Sequence, residues 1–195
     1  MRFNFSGVTG VALALLAPAL LWGCDSGPQY AQYGGSAVAT TDAPPTSNGT
    51  VELNRDLAAL RRLVGPLHNF DRAQTAGWAV QITPCLEHPT DGAMGFHYGN
   101  PAYINDGGAV AVTEPELLLF EPTENGRMRF VGVEYIVLFT DHGPTEPPPV
   151  LFGHEFHAVP DAGLWGLHAW VGRHNPSGMF ADWNPLVSCE HAPAP

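Results

Sequence analysis

The chain contains no lysine. Its 8 basic residues are all arginine and face 19 acids, for a formal net charge of -11. That excess repels nucleic acid and anionic lipid headgroups, so neither is expected as a partner. Cysteine is scarce, with three in 195 residues. The apolar run from Val8 to Trp22 is too short for a comfortable membrane span. No Gly-x-Ser-x-Gly elbow, phosphate-binding loop or dinucleotide fingerprint occurs, so the common nucleophile and nucleotide chemistries have no support. "HEFH", His154 to His157, lacks the spacing of four that a zinc-protease helix requires, and on a strand its two histidines would point to opposite faces.

What is present begins with an export signal. Met1-Arg2 supplies a short positive end, and the apolar run closes in "LWGC". Leu21, Gly23 and Cys24 resemble the lipobox of bacterial lipoproteins, although Trp22 replaces the usual small residue before the glycine. Residues 1–23 are thus expected to be a lipoprotein signal peptide, with Cys24 the lipidated first residue of an exported envelope protein that meets the membrane through its lipid anchor only. Residues 24–49, rich in Gly, Ser, Thr, Ala and Pro, cannot bury enough surface to order themselves and read as a flexible tether. Residues 50–191 then form a single globular domain. In an oxidising compartment Cys85 and Cys189 are expected to be bridged rather than reactive.

Leu53, Leu57, Leu60 and Val64 recur at helical spacing before Gly65-Pro66 stops the pattern. Asn69 and Gly77 bracket a second, shorter helix. Beyond Gly77 the pattern turns to strands: Trp78–Thr83, Ala93–Tyr98, Glu116–Glu121, Met128–Phe139, Leu151–His157 and Leu164–Gly172, with "ENGR" the strongest hairpin signal. Short connections predict an α+β fold, in which N-terminal helices pack on a mainly antiparallel sheet of five to six strands. The alternative is a β-sandwich or a cupin-like barrel, although the His-x-His pair of a cupin is missing.

The blocks "GAMGFHYGNPAYI", "PELLLFEPTENGRMRFVGVEYIV", "LFGHEF" and "LHAWVGRHNPSGMFADWNPLVSC" resemble those of an uncharacterised family of exported bacterial proteins. The resemblance spans roughly Phe70 to Cys189; it implies a common domain and carries no activity. It also implies glutamine where this chain has His154, which argues against an essential role for that histidine.

Two groups of residues are candidates for function. Trp170, Asp182, Trp183 and Asn184 lie in a stretch dense in tryptophan and Asn-Pro steps. That stretch either packs across the sheet, pinned by Cys189, or presents an aromatic rim to a sugar, peptide or partner protein. The other group is His97, Glu134 and His168. Counted straight along its strand, Glu134 shares an apolar face with Met128, Phe130, Ile136 and Leu138, where a carboxylate needs a partner. Gly95 and Gly99 flank His97 on its face, and Gly166 and Gly172 lie near that of His168, leaving room around both rings. Two imidazoles and one carboxylate suit a divalent transition metal such as zinc, iron or copper.

Two functions follow as expectations. One is a membrane-tethered extracytoplasmic binding or structural domain, its partner an envelope protein, a glycan or a small ligand. The alternative is a His/Glu metal-binding protein, with metal-dependent catalysis as its extension.

Overall fold

The computed structural model describes residues 47–193. The expected signal peptide, the lipidated Cys24 and nearly all of the tether lie outside them. Among the described residues no helix is long and apolar enough to cross a membrane.

Helix α1 (Ser47–Val64) leads through a 3-10 turn (Gly65–His68) into α2 (Phe70–Thr75). The Asn69 side chain caps α2 by accepting from the Arg72 N–H at 2.9 Å. Gly77 leaves the helix with φ +119°, a conformation few other residues tolerate. The strands are β1 (Val80–Gln81), β2 (Leu86–His88), β3 (Gly92–Gly99), β4 (Leu117–Pro122), β5 (Met128–Leu138), β6 (Val150–Leu151), β7 (His154–Glu155), β8 (His157–Val159) and β9 (Leu164–Ala169). One helical turn, α3 (Pro101–Ile104), separates β3 from β4.

The main sheet runs β1-β3-β4-β5-β9-β8, with β2 also paired to β3 and every pairing antiparallel. The sheet is open, so the architecture is α+β and neither sandwich nor barrel. Leu57, Leu60, Val64 and Leu67 from the helices meet Leu118, Phe120, Val133, Tyr135 and Leu167 on one face. Each fully buried leucine contributes about 1.5–3 kcal/mol. β4 is buried along its whole length, because Leu117 and Leu119 on its other face are also covered.

The covering of Leu119 comes from the C-terminal segment. Trp170 and Val187 pack on Ala93, Leu119 and Val131. Cys85 and Cys189 are bridged across a separation of 104 residues, with Cα atoms 5.8 Å apart. Glu121 clamps the same segment, accepting from Ser188 N–H at 3.1 Å while its other oxygen meets Arg129 at 3.2 Å and Arg173 at 3.5 Å.

Three local expectations are corrected. Leu119 pairs with Gly132 but Phe120 with Phe130, so Val131 is an extra residue in β5. This bulge reverses the alternation. Phe130 therefore joins Val133, Tyr135 and Val137 in the helix-side core, and Glu134 does not share its face. The segment Leu151–His157 is not one strand: Phe152 (φ 57°) and Gly153 (φ 76°) turn it into the β6–β7 hairpin, and His157 opens β8. Gly172 lies beyond the end of β9 against Phe130, where an added Cβ would come within 2.5 Å of the ring; it is not beside the His168 ring.

Candidate metal centre

The face opposite the helices carries the ionisable residues. In β3, Phe96 and Tyr98 point to the helix-side core and His97 points away; in β9, Leu167 and Ala169 point to that core and His168 points away. Past the bulge, β5 turns Glu134 to the same side. Glu134 pairs directly with His168. His97 pairs with Leu119 of β4 and reaches across that strand.

The three side chains converge. His97 Nε2 lies 3.3 Å from Glu134 Oε2, and His168 Nε2 lies 3.9 Å from the same oxygen. One donor atom from each residue falls within 4.8 Å of the others. All three are buried, with 2%, 7% and 1% of their surfaces exposed for His97, Glu134 and His168. Donors about 2 Å from a tetrahedral zinc stand roughly 3.3 Å apart. The His97–Glu134 pair already has that spacing; His168 stands about half an ångström too far from Glu134, and with the three donors spread over as much as 4.8 Å the two histidines must close on each other when an ion enters.

Both imidazoles are backed from behind. His97 Nδ1 lies 2.8 Å from the Thr83 hydroxyl, and His168 Nδ1 lies 3.7 Å from Asp182 Oδ1, an ion-pair distance rather than a hydrogen bond. Each ring therefore turns Nε2 toward Glu134 and Nδ1 toward an outer oxygen, the orientation that supporting groups give metal-binding histidines. Both ring nitrogens of His168 are buried with no hydrogen-bond partner among the described residues. Leaving such a group unmet costs about 1–3 kcal/mol.

Burial drives the His97 pKa down to about 4, against the pull of Glu134. Its imidazole is therefore neutral near pH 7, the form that coordinates a metal. For His168, burial lowers the pKa, but Glu134 and Asp182 together outweigh it and the net shift is upward. The neighbouring His168 in turn holds Asp182 below the ordinary carboxylate range.

The triad forms the floor of a cavity of about 450 Å³ whose walls include Ile82, Leu86, Leu117, Ile136, Leu164 and Trp183. His157 and Asp182 line it as well, 3.3 Å apart through Nδ1 and Oδ1. Two imidazoles and a carboxylate leave coordination positions for a further ligand.

The four rim residues separate. Trp170 is buried and donates its indole N–H to the Ala181 carbonyl at 2.6 Å. Asn184 is fully buried, bridging to Ala93 and donating to the His174 carbonyl. These two hold the C-terminal segment and are not on a rim. Asp182 and Trp183 border the cavity. Sequence reasoning missed Thr83 and His157 as parts of this site. Thr83 lies just past a two-residue strand, and the sequence pattern puts His157 at the end of a longer strand than the structure has. No local sequence pattern marks His157; its register opposite Gly166 in the β8–β9 pairing brings it to the site.

Comparison with protein-family models, curated proteins and solved structures yields no match.

Proposed function

We propose that this chain is an exported, lipid-anchored envelope protein whose domain binds one divalent transition metal through His97, Glu134 and His168. The observation that carries the metal reading is the paired orientation of the two histidines. Both Nε2 atoms face Glu134 Oε2, while Thr83 and Asp182 stand behind the Nδ1 atoms. Neither nitrogen of His168 is hydrogen-bonded among the described residues, although Glu134 and Asp182 stand at ion-pair distance on its two sides, an arrangement that an ion at Nε2 would complete. The cation would supply the charge that Glu134 lacks among its apolar neighbours, and it would leave a position open to the cavity.

The test is metal content by mass spectrometry after mild dialysis, in the wild type and in His97→Ala and His168→Ala. About one metal per wild-type chain and little in either variant is expected. Substoichiometric metal in the wild type, or equal metal in all three, would end the reading and leave a binding domain without a metal. Anchoring has its own check, since Cys24→Ser should move the protein from the membrane fraction to the soluble one.

A further inference from the structure

We infer that the cavity above the triad takes a small apolar molecule bearing a single carboxylate, which completes the coordination of the metal. This rests on the metal reading above and adds the class of ligand.

Charge balance sets the donor. A divalent cation held directly by two neutral imidazoles and one carboxylate keeps one positive charge within its own ligand set; Asp182 offsets it only from behind the His168 ring, 3.7 Å from Nδ1, and a charge left in a buried place is costly. One anionic oxygen donor removes it. The walls set the rest of the molecule. Ile82, Leu86, Leu117, Ile136 and Leu164 offer hydrocarbon, and Trp183 offers an aromatic surface. A volume of about 450 Å³ lies within the usual size for small-molecule sites.

What the lining lacks excludes the other common ligands. No arginine lines the cavity, and the chain has no lysine, so a phosphate or sulfate would find no cationic side chain to pair with. Thr83 is the one hydroxyl or amide side chain in the lining, and it is already engaged with His97. A sugar would set most of its hydroxyls against hydrocarbon, with Asp161, Asp182 and His157 the few polar side chains able to meet them. At the mouth, exposed Asp161 repels a second carboxylate. Asp182 Oδ1 is turned to the ring nitrogens of His157 and His168, at 3.3 and 3.7 Å.

The experiment uses the purified protein, stripped of metal and reloaded with cobalt(II), whose visible bands report the coordination of the site. Benzoate, acetate and inorganic phosphate are then titrated separately. Benzoate is expected to shift the bands with an affinity at least about tenfold tighter than acetate, because the same donor brings a ring to the apolar walls. Phosphate is expected to leave them unmoved at the concentrations where benzoate saturates. Cobalt bands that benzoate does not shift, that benzoate and acetate shift with equal affinity, or that phosphate shifts more readily would overturn the ligand assignment and leave the metal centre intact. Cobalt bands that never form, or that persist in His97→Ala, would overturn the metal centre and this ligand with it.

Discussion

Gly166 keeps open the place into which Glu134 extends its carboxylate: a Cβ at position 166 would lie 2.9 Å from Glu134 Oε1. Position 166 pairs with His157 on one side and Ile136 on the other. The backbone of Gly166 is not in a left-handed conformation, so its need for glycine comes from space alone. The obstructed atom is the end of a flexible side chain, which can move at small cost to folding. Gly166→Ala is therefore expected to keep its thermal midpoint and to lose metal affinity by about tenfold or more, as the carboxylate leaves its position. Unchanged affinity measured by chelator competition would show that Oε1 is free to shift without consequence.

The groups behind the histidines give a second test. Thr83→Val preserves shape and removes the oxygen at His97 Nδ1; Asp182→Asn removes the charge at His168 Nδ1. Each is expected to weaken metal binding by about 10–100-fold, read by competition with a chromogenic chelator. Affinities within about twofold of the wild type would reduce both residues to bystanders.

A third expectation concerns pH. Glu116 is buried, and desolvation pushes its carboxyl up to about 8 even though it accepts a hydrogen bond from the Ile136 N–H at 3.0 Å. Between about pH 4.5 and about pH 8 the folded chain holds a proton here that the unfolded chain has released. This group's contribution therefore falls as pH rises through that window, by at most about 1.4 kcal/mol per pH unit. Glu116→Gln keeps an acceptor for Ile136 and does not titrate. Urea unfolding across the window should show the variant gaining on the wild type as pH increases; parallel profiles would refute the assignment.

Removing the bridge should act on both stability and site. Cys85 and Cys189 close a loop of 104 residues, for which chain entropy gives up to about 4.7 kcal/mol, with measured values commonly about 2–5. The Cys85→Ser/Cys189→Ser double variant should lose stability in that range by urea unfolding. Because Asp182 belongs to the segment this bridge pins, metal affinity should fall as well. A loss of stability with no change in metal affinity would show that hydrogen bonds such as Trp170 to Ala181 position Asp182 unaided.

Much of this domain follows from local rules. The spacing of Leu53, Leu57, Leu60 and Val64 is helical in any context, and Asn69 can cap α2 because its partner, the Arg72 N–H, is three residues away. "ENGR" turns a hairpin, with Gly126 at φ +72°. The pleat alone separates His97 from Phe96 and Tyr98, and His168 from Leu167 and Ala169, because alternation has a period of two. With only two cysteines beyond Cys24, the bridge has one possible pairing among them.

Other features depended on the assembled sheet. The extra residue at Val131 is settled by how β5 registers against β4; inside β5 only Gly132, the lone glycine beside it, marks the place, and a straight count across it puts Glu134 on the face of Phe130. The order β3-β4-β5-β9 decides that His97 and His168 flank Glu134, because separation across a sheet is a matter of strand pairing and not of distance along the chain. Thr83 and Asp182 come from stretches outside the regular strands, brought to the histidines by non-local packing. The chain by itself thus determined which way each histidine points within its strand, a property of neighbouring residues. Only the tertiary structure decided that the two point at the same carboxylate, since that requires residues 97, 134 and 168 to meet across three strands and a bulge.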